Sequence, residues 1–206
     1  MLRLSGICKH FAGVVALHEV GLCVRAGEVM ALIGENGAGK STLVKTLTGI
    51  YQPDAGSMQL GGETVSFSSP QDAMDAGITA VHQETMMFEE LTVAENIYIG
   101  RQPQTGFPAR IDWPRMAAEA EKIFARLEVQ LPVLAKVKEL SVAQRHFVEI
   151  ARALSQEARV VIMDEPTASL SQREIHELYR IIAQLRAAGT AVIFISHKFD
   201  EIFTVA

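Results

Sequence analysis

The sequence predicts an α/β fold with a mostly parallel sheet covered by helices on both faces. Three observations carry this expectation. The apolar run Glu28 to Ile33 ends in a glycine-rich loop that opens a helix. Two later apolar runs, Arg159 to Met163 and Ala191 to Ile195, alternate with helical stretches. The first of these two stops in the paired acids Asp164-Glu165. Parallel strands are buried on both faces and so read as continuous apolar runs between helices.

Along the chain, the first third reads as strands. Ser57-Met58-Gln59-Leu60 and Glu63-Thr64-Val65 flank Gly61-Gly62, a two-residue hairpin signal. Lys40 to Leu47 has helical character and stops at Gly49. Asp112 to Val129 is helical, with Met116, Ile123, Phe124 and Leu127 as its apolar positions. Pro103, Pro108 and Pro114 lie in or beside the linker before it. A second helix begins near Ser141 and carries Phe147, Ile150, Ala151 and Leu154 at i, i+3, i+4 and i+7. A mostly helical insertion is therefore expected over about 85–156, within a core made of 1–84 and 157–206. Arg173 to Leu185 is the next helix, ended by Ala188-Gly189.

Composition narrows the function classes. The formal net charge of -5, from 19 basic and 24 acidic residues, argues against a nucleic-acid partner. No apolar run approaches the roughly 18 residues that span a bilayer. The N-terminus lacks a signal-peptide pattern. Cys8 and Cys23 are too few and too isolated for a disulfide framework or a metal site, and are expected to be small core residues in a reducing, cytosolic compartment.

The glycine-rich loop carries the strongest chemical signal. Gly34-Glu35-Asn36-Gly37-Ala38-Gly39-Lys40-Ser41 fits G-x-x-x-x-G-K-[ST]. Glycines let the backbone curl until several N–H groups point at phosphate oxygens, and the following helix adds its positive end. Lys40 reaches the β- and γ-phosphates as a point charge, and Ser41 ligates Mg²⁺. The bland reading, a glycine turn before a helix, does not explain why the loop also follows an apolar strand.

Val160-Val161-Ile162-Met163-Asp164-Glu165 places two carboxylates at the carboxyl edge of a sheet, where open α/β folds bind ligands. Asp164 is expected on Mg²⁺, directly or through water, and Glu165 on the water that attacks the γ-phosphate. Gln83, in Val81-His82-Gln83-Glu84, can join Mg²⁺ or that water; alone it would read as a solvated loop residue. His197 ends the strand Ala191 to Ser196 and can donate to the γ-phosphate or the attacking water; alone it would read as structural. Ser141 with Gln144 three residues on is a capping box. The same exposed N–H groups can hold the γ-phosphate of a nucleotide bound mainly by another subunit.

Together these segments resemble the ABC ATPase family. Gly34 to Thr42 is similar to its Walker A loop, Gln83 to its Q-loop, and Leu140 to Gln144, with Ser141, Ala143 and Gln144, to its signature motif. Val160 to Glu165 is similar to its Walker B strand with the catalytic carboxylate. Ala168 to Ser171 falls at the D-loop, and His197 at the switch histidine. The resemblance implies a P-loop NTPase of ABC ATPase fold: a mostly parallel core sheet, an antiparallel β-subdomain and a helical subdomain. It implies ATP and Mg²⁺ as ligands, and Phe11 stacked on adenine, although an isolated Phe would read as core. Two positions depart from the family pattern. Ala143 stands where Gly is usual, so its methyl is expected to crowd the phosphate of the partner site. Ser171 stands where Asp is usual.

Finer segments look like the sugar-importer branch: Thr92-Val93-Ala94-Glu95-Asn96-Ile97-Tyr98-Ile99-Gly100-Arg101, Ile111-Asp112-Trp113, and Ser196-His197-Lys198-Phe199-Asp200-Glu201-Ile202-Phe203. That likeness implies import of a monosaccharide at the cytoplasmic face of a bacterial inner membrane. The implied partners are a membrane permease, a second ABC domain and, indirectly, a periplasmic sugar-binding protein, and no nucleic acid. It also implies that this is the first of two domains of a longer chain. Two rivals are an ATP-gated dimerisation module with weak hydrolysis and a soluble ABC ATPase outside transport. Finally, Met86, Met87 and Phe88 are three consecutive apolar residues beside Gln83, readable as helical-lobe core or as an exposed docking surface for the permease.

Overall fold

Alternation of apolar and polar residues sets the first sheet. In a computed structural model of the chain, residues 1–35, 37–81 and 87–205 are described. Strand β1 (Leu2–Phe11) turns over Ala12-Gly13 into β2 (Val14–Val24). Both turn residues sit at positive φ, 39° and 90°, the geometry of a two-residue hairpin whose twist matches its strands. Leu2, Leu4, Ile7 and Val24 point inward, and the period of two turns Arg3, Ser5 and Cys23 away. That period corrects the expectation for the cysteines: Cys8 and Cys23 are half-buried on this sheet, not core residues. The Cys8 thiol sulfur accepts the amide of Glu19 at 3.3 Å.

After β3 (Val29–Leu32) come α1 (Lys40–Leu47), β4 (Ala55–Leu60) and β5 (Glu63–Val65). The expected Gly61-Gly62 turn joins the last two, with Leu60 opposite Glu63. Helix α2 (Pro70–Asp75), capped by Ser69, leads to β6 (Ile78–Val81). Next are α3 (Val93–Tyr98), β7 (Gln104–Thr105), β8 (Arg110–Ile111), α4 (Trp113–Arg126) and α5 (Val142–Ser155). Then follow β9 (Val160–Asp164), α6 (Gln172–Ala187), β10 (Ala191–Ile195) and α7 (Phe199–Val205).

Two compact units result: Met1–Gln83, Ala158–Pro166 and Ile182–Ala206 form one, Glu84–Glu157 and Thr167–Ile181 the other. The first unit holds an antiparallel sheet in the order β2-β1-β4-β5 and a parallel sheet in the order β3-β10-β9-β6. One apolar cluster joins them, built from Leu2, Leu4 and Ile7 of β1, Leu43, Val44 and Leu47 of α1, and Ile162, Ile193 and Ile195 of the parallel strands. Every residue of β10 is buried, as a strand covered on both faces requires. The second unit is mainly helical. Its α3, α4 and α5 are each N-capped by a side chain, from Thr92, Asp112 and Ser141. Such a cap contributes about 1 kcal/mol by satisfying a helix-end N–H.

Parallel register fixes where the loops emerge. Ile195 pairs with Leu32 on one side and with Asp164 on the other, so β3, β9 and β10 end in one row. The loops that follow, carrying Gly34, Glu165 and His197, leave the same edge of the sheet.

Candidate functional site

A cavity of about 450 Å³ opens at that edge within the first unit. Gly37, Gly39, Lys40, Ser41 and Thr42 line it from one strand–helix junction, and Asp164 and Glu165 from another. Val14, Val15 and Ala16, just past the β1–β2 turn, complete the wall.

The cradle's shape depends on Gly39. Its φ is +88°, and a Cβ there would lie 2.6 Å from the carbonyl oxygen of Ala16 and 3.1 Å from the Leu17 side chain. Only glycine lets α1 start against β2 this closely. The Lys40 ammonium folds back over the loop, donating to the carbonyl oxygens of Gly34 at 2.5 Å and Glu35 at 3.0 Å. The Ala38 amide donates to the Glu35 carbonyl at 3.1 Å, closing the turn. A cation beside the first amides of a helix has the chemistry to hold an anion.

Glu165 occupies a left-handed backbone conformation, with φ of 48°. Its amide donates to the Ile195 carbonyl at 3.0 Å, bridging the ends of β9 and β10. Non-glycine residues hold this conformation at a cost of order 1–3 kcal/mol, and such residues gather at functional sites. The turn aims the carboxylate toward His197, whose Nδ1 lies 3.2 Å from Glu165 Oε1. The Glu165 side chain is 22% exposed and the imidazole 57% exposed.

Phe11 does not line the cavity. The residue is 37% exposed, and its ring meets Tyr51 edge-on at 5.0 Å, with the Lys9 ammonium 5.5 Å from its centroid. It is therefore not the core residue that its type alone suggests. Asp54 ties this corner down, accepting from the Lys9 ammonium and the His10 amide, each at 2.7 Å. The Lys9 hydrogen bond foremost, then that of the His10 amide, holds the Asp54 carboxyl down at about 2.

In the second unit, Ser141 accepts the Gln144 amide at 3.3 Å while Gln144 accepts the Ser141 amide at 2.9 Å, the expected capping box. Ser141 is exposed at the start of α5. Ala143, one residue into the helix, is only 2% exposed. Ser171 caps α6: its hydroxyl donates to Glu174 at 2.7 Å, and its amide to the same carboxylate at 2.8 Å. Phe88 is 57% exposed and Met87 half-buried, which disfavours the core reading. The buried Asn96 pins the Phe88 backbone on both sides, at 2.9 and 3.0 Å. Asn36, Gln83 and Met86 lie outside the described residues.

The structure thus gathers Lys40, Ser41, Thr42, Asp164, Glu165 and His197 of the expected site. Sequence reasoning missed Val14 and Val15, which are exposed, apolar and on the cavity wall. The available signal was Gly13 beside the β-branched pair Val14-Val15, a turn residue leading into a strand start.

A family profile described as ABC transporter matches residues 17–168. The ribose import ATP-binding protein RbsA of Jannaschia sp. (strain CCS1) is 57% identical over 206 residues, covering all of this chain and 40% of the relative. A putative ribose/galactose/methyl galactoside import ATP-binding protein of Burkholderia ambifaria is 47% identical over the same share of each chain. The chain thus spans about two fifths of the length of these curated relatives. Among solved structures, a nucleotide-free ATP-binding cassette from an ABC transporter superposes with a TM-score of 0.86 at 30% identity, covering 99% of this chain and 84% of that one. A dimeric cassette in a post-hydrolysis state with ADP and Pi shares the fold, with a TM-score of 0.82 at 21% identity over 100% of this chain and 91% of that one.

Proposed function

The chain belongs to the ABC transporter family, and we propose that it binds and hydrolyses ATP and, within a longer protein, powers import of ribose or a closely related monosaccharide. One observation carries the hydrolytic part: Lys40, Ser41, Asp164 and Glu165, from two separate strand ends, line a single cavity.

Lys40 offsets charge on the β- and γ-phosphates, and the loop amides hold the phosphate oxygens. Glu165 orients and polarises the attacking water, and His197, against the same carboxylate, hydrogen-bonds that water or the γ-phosphate. The Ser41 hydroxyl and Asp164 carboxylate are hard oxygen donors on one cavity and suit Mg²⁺. Bound there, Mg²⁺ would offset phosphate charge. Gln83 is a further candidate for that ion or the water.

Val14 and Val15 offer apolar surface on the cavity wall; Phe11, at the hairpin turn but off that wall, remains a candidate to stack on adenine. Ser141 and the start of α5 are proposed to cap the γ-phosphate held by a second ABC domain. The sugar rests on the names of the import proteins that the chain resembles. They also motivate the proposed partners: a permease, a second cassette and, through the permease, a sugar-binding protein. No helix among the described residues is long and apolar enough to cross a membrane. Phe88, exposed on a pinned backbone, is proposed as part of the permease contact.

The test is ATP hydrolysis by the full-length protein assembled with its permease in vesicles, with the ribose-loaded binding protein added. Stimulation by ribose is expected. Hydrolysis that ignores every monosaccharide would refute the import assignment.

A further inference from the structure

We infer that Glu201 is a positioning residue for hydrolysis: its buried carboxylate grips Ser196 and Lys198, on either side of His197, and so holds that imidazole against Glu165. The inference rests on the ATPase reading of the site.

The geometry is a bracket. Glu201 Oε2 accepts from the Ser196 hydroxyl at 2.7 Å. Glu201 Oε1 accepts from the Lys198 ammonium at 3.0 Å. The Ser196 oxygen in turn accepts the Lys198 amide at 3.1 Å. The hydroxyl therefore has one proton direction, out to the carboxylate, and one acceptor duty, to the backbone just past His197. Residues 196 and 198 are both tied to one side chain, and residue 197 has little freedom left.

His197 needs this support. Its imidazole is 57% exposed, so packing does little to hold it, yet its Nδ1 lies 3.2 Å from Glu165. On the other side, β10 is fully buried and Ile195 receives the Glu165 amide. The chain thus runs from a rigid strand, through an exposed histidine, to a second anchor at Glu201, only 7% exposed.

Burial makes a purely stabilising role a weak account. Taking a carboxylate out of water is costly, and buried ion pairs often stabilise no better than apolar residues of similar size. A cap for α7 alone would not require the carboxylate to reach both neighbours of His197. Modest misplacement of a catalytic group, on the order of 1 Å, costs roughly a hundredfold in rate.

The test measures kcat and KM for ATP in the full-length protein assembled with its permease in vesicles, for wild type, Glu165→Gln, Glu201→Ala, Glu201→Gln and Ser196→Ala. Glu201→Ala and Ser196→Ala are expected to lower kcat about 10- to 100-fold, with KM within about twofold. Glu201→Gln keeps an acceptor for the Ser196 hydroxyl but turns its amide N–H₂ toward the Lys198 ammonium, so it is expected to recover part of the loss, through the Ser196 arm of the bracket alone. If Glu201→Ala fails to assemble, Ser196→Ala and Glu201→Gln decide. A normal kcat in Ser196→Ala, KM rising in step with the loss of kcat, or Glu201→Gln as impaired as the alanine variant, overturns the inference. Wild-type turnover that Glu165→Gln abolishes secures the underlying ATPase reading in the same experiment, so these results count against the inference alone. No turnover in wild type overturns both.

Discussion

His197 Nδ1 sits 3.2 Å from Glu165 Oε1, and the Glu165 amide donates to Ile195, two residues before that histidine. The two groups are thus coupled through side chains and through backbone. Glu165→Gln keeps the shape but cannot polarise water as a carboxylate does. ATP binding is expected to persist while kcat falls about 10²- to 10⁴-fold, the usual worth of a general base. His197→Ala is expected to lower kcat in the same direction. Equilibrium nucleotide binding beside single-turnover hydrolysis checks both. Loss of binding in Glu165→Gln would assign Glu165 a structural role at its left-handed turn.

Gly39→Ala tests how the cradle is built. The new methyl would meet the Ala16 carbonyl at 2.6 Å, with φ already at +88°. Backbone strain of this kind costs of order 1–3 kcal/mol. At about 2–4 °C per kcal/mol for a chain of this size, a clear fall in Tm is expected, with weaker ATP binding. An unchanged Tm with normal binding would show that the loop does not need this approach.

Glu149, on α5, carries a pH signature. Burial pushes its carboxyl up to about 8 against the opposing pull of the Arg152 charge, and its Oε2 has no hydrogen-bond partner among the described residues. The ordinary value is 4.5, so the folded state holds the proton more tightly than the unfolded chain. The sign follows from linkage: stability is fully present below the unfolded value and is lost as pH rises toward the folded one. Glu149→Gln is therefore expected to raise Tm at pH 8 and to leave it near wild type at pH 4.5. Equal effects at both pH values would contradict the assignment.

Much of the core was legible in the sequence because parallel strands must be apolar throughout. Glu28 to Ile33, Arg159 to Met163 and Ala191 to Ile195 contain the observed β3, β10 and most of β9. The Ser141–Gln144 box opens α5 as expected, since a cap is a local interaction. The β1–β2 hairpin was harder to read. Gly6, Gly13 and Gly21 interrupt its pattern, and register shifts after Leu4 and Ile7 break a strict period of two. That is why Val14 and Val15 were not expected at the site. The Ser196–Glu201 pair was equally hidden, because an isolated Glu in a short helix reads as solvated until the fold buries it.

The account's central claim is that phosphate held at Lys40 powers sugar movement. ATP hydrolysis and ribose uptake, followed together in vesicles carrying the full-length protein and its permease, test it most directly. Wild type is expected to show both. Lys40→Ala, which removes a preorganised charge worth roughly 10²–10³ in rate, is expected to lose both in parallel. Ribose uptake that continues unchanged in Lys40→Ala would contradict the claim.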